Sequence, residues 1–260
     1  MTGHRPRKRF GQHFLHDRGV VAHIVDVFAP GDDEVVVEIG PGPGVLTREL
    51  AGKVASLTAI EIDRDLTAAL KSEFSENDRV IINEADALTV DYCALASADQ
   101  PLRIIGNLPY NISTPLIFHL FTHTHCIQDM LFMLQKEVVD RICAKPGNKI
   151  YGRLSVMTQW QCEVERLFTV SSGAFTPPPK VESAIVRLRP YRQKLYTLKD
   201  SERFAQLVQA AFTQRRKTLR NSLREFLTAD QMQAVQIDPA RRPETLSVEE
   251  FVTLGNAASK

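Results

Sequence analysis

The stretch from Val35 to Leu50 constrains this 260-residue chain more than any other. Val35-Val36-Val37-Glu38-Ile39 is a nearly unbroken β-branched run, the pattern of a central parallel strand covered on both faces. Gly40-Pro41-Gly42-Pro43-Gly44 breaks it, and Val45-Leu46-Thr47-Arg48-Glu49-Leu50 resumes at helical spacing. The alternation then repeats. Leu57-Thr58-Ala59-Ile60 reads as a second strand, 65–74 as a helix, Val80-Ile81-Ile82 as a third strand and 102–106 as a fourth. Short strands alternating with helices predict a doubly wound α/β sheet, Rossmann-like in its order. Met130–Leu134, Leu167–Val170 and Ala184–Leu188 read as later strands.

Composition shifts near Pro190. Beyond it, Phe204, Leu207, Val208, Ala211 and Phe212 share one helical face, and Thr228…Gln231 and Ser247…Glu250 match the capping box. The expected organisation is an α/β domain over 1–190 and a small all-α domain over 191–260. No stretch approaches the ~20 apolar residues of a membrane span, and the first residues lack the apolar core of a secretion signal. A cytoplasmic protein is expected. Cys93, Cys126, Cys143 and Cys162 form no Cys-x-x-Cys pair and read as reduced thiols buried as small hydrophobes.

Net charge is +1, yet the charges are segregated. Residues 1–20 carry five Lys/Arg against one Asp, 31–100 carry five against fifteen acids, and 187–224 carry eleven against two. Two basic segments flanking an acidic body suggest a polyanion gripped at two places, solvated surface charge being the alternative.

Three predicted strand ends carry polar residues in register. The Gly40–Gly44 loop lets backbone approach a ligand, and by itself suits NAD, FAD or S-adenosylmethionine. Glu61 lies 21 residues past Gly40, where a carboxylate would bind a ribose diol. Asp86 ends the third strand and could accept from an adenine amino group. The fourth strand ends in Asn107-Leu108-Pro109-Tyr110. The Asn107 side-chain oxygen and the Leu108 carbonyl can both accept from an exocyclic NH2, and the Tyr110 ring can stack on a flat base. Such a clamp draws the amine hydrogens out of the ring plane and returns the lone pair to nitrogen. A dehydrogenase has no need of it, which makes NAD the weaker reading.

With these residues in view, the chain resembles the small-subunit (16S) ribosomal RNA adenine N6,N6-dimethyltransferases, the dimethyladenosine transferases behind kasugamycin sensitivity. These are kin of the erythromycin-resistance rRNA methyltransferases. The likeness runs nearly end to end, through Arg9-Phe10-Gly11-Gln12-His13-Phe14-Leu15, Glu38–Gly42, Gly106–Ser113, Phe175–Val181 and Gln214–Thr218. It implies two methyl transfers from S-adenosylmethionine to N6 of each of two adjacent adenosines near the small-subunit rRNA 3′ end, within a pre-30S particle. By motif position the cofactor touches His13, Leu15, Gly40, Glu61, Asp86 and Asn107. Two residues depart from expectation. His13 stands where the family usually has Asn, and Pro43 occupies a loop position expected to offer a free N–H.

Asn107 and Leu108 would then orient N6 while Tyr110 stacks on the base. Phe175 is the candidate for the other face, with core packing as its alternative. Arg7, Lys8, Arg9, Arg215, Arg216, Lys217 and Arg220 are the candidate phosphate contacts. His119, His123, His125 and Cys126 lie close in sequence, but without a second Cys/His set they read as surface or satisfied side chains, and no metal is expected. A monomer is expected. An adenine methyltransferase acting on DNA or another RNA, and a ribosome-assembly binding factor, are the competing functions.

Overall fold

The structure, a computed structural model, describes residues 12–97, 100–214 and 216–259. They form two compact units. One takes in the chain up to Val139 together with Glu165–Pro190; the other comprises Asp140–Val164 and Tyr191–Lys260. The chain therefore passes between units more than once, where the sequence suggested a single boundary at 190. The segment 140–164 joins the second unit because its helix packs on the helices of the tail.

In the first unit, β1 (Phe14–Leu15) and α1 (Arg18–Phe28) precede the predicted core. Then come β2 (Val35–Ile39), α2 (Val45–Leu50), β3 (Ser56–Glu61), α3 (Arg64–Glu73), β4 (Val80–Glu84), β5 (Leu102–Asn107), α4 (Ser113–Phe121), β6 (Ile127–Gln135) and α5 (Lys136–Ile142). After α6 (Arg153–Gln161) follow β7 (Cys162–Val170), β8 (Phe175–Thr176) and β9 (Ser183–Pro190). The large sheet has the order β4-β3-β2-β5-β6-β9-β7. Its first five strands are parallel, and β9 runs antiparallel to β6. This is an α/β Rossmann-like sheet. The chain builds outward from β2 to β4, then returns to place β5 on the other side of β2. The order reverses there, and open α/β sheets form their ligand crevice at such a point.

Local chemistry explains the helix starts. Asp17 caps α1 by accepting from Gly19 N and Val20 N at 2.9 and 3.0 Å. Asp63 caps α3 through Asp65 N at 3.2 Å. At α4 the cap is Ile112, without a side-chain bond, and Ser113 Oγ donates to the Tyr110 carbonyl at 3.2 Å.

Arg103 ties the lower end of the sheet to α1. Its Nε and Nη2 donate to Asp129 at 2.7 and 3.0 Å. Nη1 donates to Glu34 and the Ala29 carbonyl at 2.6 and 3.0 Å, and Nη2 to the Phe28 carbonyl at 2.6 Å. All five guanidinium donors are used, and the group lies 4.2 Å over the Phe28 ring. The last carbonyls of α1 are thereby satisfied by a charge, including that of Val27, which accepts from Arg187.

The cysteines depart from expectation. Cys93 and Cys126 are joined as a disulfide, their Cα atoms 5.6 Å apart. Two short 3-10 turns, Cys93–Leu95 and Thr124–Cys126, bring them together across 33 positions. Cys143 and Cys162 are free, half-buried and buried respectively. His119 Nε2 donates to the Val90 carbonyl at 2.9 Å, and His123 faces Asp91 at 3.5 Å, so both have partners as expected.

The second unit contains α6 and then α7 (Ser201–Thr213), α8 (Leu219–Ser222), α9 (Ala229–Ala234) and α10 (Val248–Ala258). Phe204, Leu207, Val208 and Ala211 form the buried face of α7. Both predicted capping boxes are present, at Thr228/Gln231 and Ser247/Glu250. Among the described residues, no helix is long and apolar enough to cross a membrane.

Arg103 and Asp129 are each 6% exposed. Truncating Arg103 takes the guanidinium from Glu34 and from the buried Asp129, which is then left with Arg187 at 3.8 Å. Arg103→Met should therefore cost about 3–5 kcal/mol in denaturant unfolding; a loss below about 1 kcal/mol would contradict the role given to this cluster.

Candidate active site

The carboxyl ends of β2, β3, β4 and β5 and the Gln12–Phe14 segment surround a cavity of about 230 Å³. Its walls include His13, Gly40, Glu61, Asp86, Asn107 and Tyr110, so the structure gathers these predicted residues in one place, and Leu108 with them.

Two glycines make the approach possible. Gly42 has φ +56°, and a Cβ there would meet the Phe14 ring at 3.1 Å. Gly106 lies opposite Ile39 in the β2–β5 register, and a Cβ on it would come 2.5 Å from the Ile39 carbonyl oxygen. Only a glycine lets the two strand ends close to this distance. Pro43 offers no N–H, and the loop manages with its neighbours: Gly42 N donates to Glu61 and Gly44 N to the Pro41 carbonyl.

Glu61 ties two loops together. Oε2 accepts from Gly42 N at 3.1 Å and Oε1 from Asp63 N at 2.9 Å. Burial pushes its carboxyl up, and these backbone bonds oppose the shift. An ionised carboxylate has about four acceptor positions, so Glu61 keeps acceptor capacity toward the cavity. Asp86 uses Oδ1 on Leu88 N at 2.9 Å, which holds its turn. Behind the loop, Glu38 is 1% exposed and accepts from Thr47 Oγ1 at 2.7 Å. Burial pushes its carboxyl up to about 7; the Thr47 bond opposes this and the Glu61 charge adds to it.

The Asn107 amide is oriented by one bond. Nδ2 donates to the His13 carbonyl at 3.0 Å, leaving Oδ1 as the acceptor. The Tyr110 hydroxyl shares a 2.8 Å hydrogen bond with Ser183 Oγ, and its ring stacks on His13 at 5.5 Å and 29°. His13 Nδ1 lies 2.7 Å from the Pro177 carbonyl, so it donates there. Burial pushes the Tyr110 phenol up, opposed by the Ser183 bond. A neutral phenol with a fixed ring suits stacking rather than proton abstraction.

Leu15 and Phe175 do not line this cavity. They are partners in the antiparallel β1–β8 ladder, 3% and 2% exposed, and both belong to the hydrophobic core. The alternative given for Phe175, core packing, is where the structure puts it. Strand alternation turns neighbouring side chains to opposite sides, and here Phe14 meets the cavity while Leu15 enters the core. Phe14 and the 46%-exposed Ile62 are cavity residues the sequence reading missed. The signal for Phe14 was its place beside Leu15 in the same motif.

In the second unit, Arg216, Lys217 and Arg220 are exposed around the start of α8. Arg7, Lys8, Arg9 and Arg215 lie outside the described residues.

Known proteins resemble this chain over nearly its whole length. The family model described as ribosomal RNA adenine dimethylase matches residues 3–260. The ribosomal RNA small subunit methyltransferase A of Hahella chejuensis is 54% identical over 254 residues, covering 98% of this chain and 93% of that protein. Its counterpart in Pseudomonas aeruginosa is 50% identical over 253 residues, covering 97% and 94%. Among solved structures, a dimethyladenosine transferase from Plasmodium falciparum aligns with a TM-score of 0.80 at 25% identity, over 93% of this chain and 96% of that one. The 23S rRNA methyltransferase ErmE aligns at 0.71 and 28% identity, over 95% and 100%.

Glu38 makes the site's frame sensitive to pH. Its folded pKa, about 7, lies above the ordinary 4.5, so the native state holds the proton more tightly. The stability this contributes is complete below about pH 4.5 and is lost as pH rises through about 7. Urea unfolding between pH 5 and 8 should show a decline of about 1–3 kcal/mol from this group, which Glu38→Gln removes. A variant with the wild-type slope would contradict the assignment.

Proposed function

The chain belongs to the ribosomal RNA adenine dimethylase family, enzymes that use S-adenosylmethionine to dimethylate rRNA adenines, and from that premise we propose how its own residues divide the work. Its target is N6 of two adjacent adenosines in the 3′-terminal hairpin loop of small-subunit rRNA. It acts as a cytoplasmic monomer on an assembling small-subunit particle, and the transfer itself uses no metal.

The observation that carries this reading is the convergence of Glu61, Asp86 and the Asn107–Tyr110 quartet on one cavity at the sheet's switch point. The residues fit the donor: a glycine cradle that a Cβ would fill, and two carboxylates with acceptor capacity. When bound, S-adenosylmethionine supplies an electrophilic methyl group on a positively charged sulfur. Glu61 accepts from the ribose hydroxyls and Asp86 from the adenine amino group, while Gly40 lets backbone lie against the ligand. His13 positions Asn107 through its carbonyl, and the Leu15–Phe175 pairing holds the His13–Phe14 segment in place from the core side.

On the acceptor side, Asn107 Oδ1 and the Leu108 carbonyl take the two N6 hydrogens, and Tyr110 stacks on the target base. The base leaves its stack to enter, at a cost of a few kcal/mol that is smallest in an unpaired loop. Alkylated N6 becomes acidic and releases its proton to solvent, so no dedicated base is needed. Positioning and exclusion of water carry the rate. After the first transfer N6 keeps one hydrogen, and one of the two acceptors goes unused on the second pass. Arg216, Lys217 and Arg220, with Arg7, Lys8, Arg9 and Arg215, contact phosphate and set affinity.

Incubating the protein with labelled S-adenosylmethionine and small subunits lacking the modification should place label on two adjacent adenosines of the small-subunit RNA. Label elsewhere, or none, would sink the reading. Asn107→Ala should lower transfer by about 100-fold or more with subunit binding intact; equal loss of both would contradict the clamp. Arg216→Glu with Lys217→Glu should weaken RNA binding and flatten the slope of log affinity against log salt by about two. An unchanged slope removes the tail from the RNA footprint.

A further inference from the structure

The methyl-transfer site leaves one cluster of reactive side chains unused. His125 Nε2 lies 3.3 Å from Cys93 Sγ, and the donor atoms of Cys93, His125 and Cys126 all lie within 4.8 Å of one another. Cys93 and Cys126 are half-buried and His125 is exposed, so the cluster opens to solvent. Two thiolates and an imidazole are the donors that Zn²⁺ and similar borderline-soft cations prefer. Bond lengths of ~2.3 Å to sulfur and ~2.0 Å to nitrogen set tetrahedral donors about 3.6–3.8 Å apart. The separation of Cys93 Sγ and His125 Nε2 is already close to this. The two sulfurs, now bonded to each other, would have to part.

We propose that Cys93, Cys126 and His125 form a binding site for a thiophilic divalent cation of the Zn²⁺ class, available in the dithiol form and closed by the disulfide. Opening the bond takes two electrons and two protons from a small-molecule dithiol, which is itself oxidised to its disulfide. Cation binding then releases both cysteine protons to solvent, and water completes the fourth position.

The site bears on the cofactor cavity through the segment that runs from Asp86 to Cys93. The Tyr92 hydroxyl donates to the Ala87 carbonyl at 2.9 Å, and His119 Nε2 lies 2.9 Å from the Val90 carbonyl. Asp91 caps the turn at Cys93 N at 3.0 Å. Disulfide and cation each clamp the far end of this segment to the turn before β6. The cation-free dithiol form lacks that clamp.

The test uses untagged full-length protein, reduced with a small dithiol, freed of it, and titrated anaerobically with Co²⁺. A thiolate-to-cobalt absorption band should saturate at one ion per chain and be bleached by one equivalent of Zn²⁺. The disulfide form should give no band. Cys93→Ser should abolish it, and Cys143→Ser should leave it unchanged. His125→Ala, at an exposed position that does not threaten folding, should weaken affinity by about tenfold or more, at least the loss typical of a ligand's supporting partners. No band in the reduced protein, or a full band in Cys93→Ser, overturns the site. Wild-type affinity in His125→Ala overturns the three-ligand assignment.

Discussion

Ile39 and Gly106 face each other across β2 and β5, and a Cβ on Gly106 would stand 2.5 Å from the Ile39 carbonyl oxygen. The site depends on that closeness. Gly40 follows Ile39 and Asn107 follows Gly106, so the approach of two strands becomes the approach of two loops. A Cβ on Gly40 would lie 3.5 Å from the Asn107 carbonyl oxygen. In the function proposed above, one loop receives the methyl donor and the other holds the acceptor amine. A methyl can pass between two molecules only where their sites share a wall, and here the shared wall is the sheet's point of reversal.

The rest of the first unit keeps those loops in place. Glu61 reaches from β3 to Gly42, and the carbonyl of His13, the residue before β1, reaches to Asn107. Ser183 on β9 fixes Tyr110. Each loop is thus held by a residue from a different element. Two buried carboxyls support the site, Glu61 in the cavity wall and Glu38 behind the loop; burial raises both, and the Glu61 charge adds to the rise at Glu38. At the opposite end of the strands Arg103 neutralises Asp129 and Glu34 and caps α1.

The parts legible in the sequence were those governed by local chemistry. The parallel strands showed as apolar runs, the capping boxes as fixed spacings, and Gly40, Glu61, Asp86 and Asn107 as polar residues at strand ends. What was not legible depends on long-range pairing. Phe175 was a candidate for stacking, but in β8 it pairs with Leu15 of β1, 160 residues earlier, and that pairing buries it. The segment 140–164 carries no marker of its membership in the second unit. Cys93 stands 33 positions from Cys126, so a cluster read as His119, His123, His125 and Cys126 lacked the one residue that gives it a different chemistry. His13 contacts Asn107 through its carbonyl and Tyr110 through its ring.

Replacing Gly106 by Ala tests most directly whether the closeness of the two strand ends makes the site. The measurement is S-adenosylmethionine affinity by calorimetry, with Gly52→Ala as a control, since nothing lies within 4 Å of a Cβ at that position. The structure predicts that Gly106→Ala stays folded but binds the methyl donor at least about tenfold more weakly, the cost of parting two loops by a fraction of an ångström, while Gly52→Ala binds normally. Wild-type affinity in Gly106→Ala would contradict the dependence of the site on this approach.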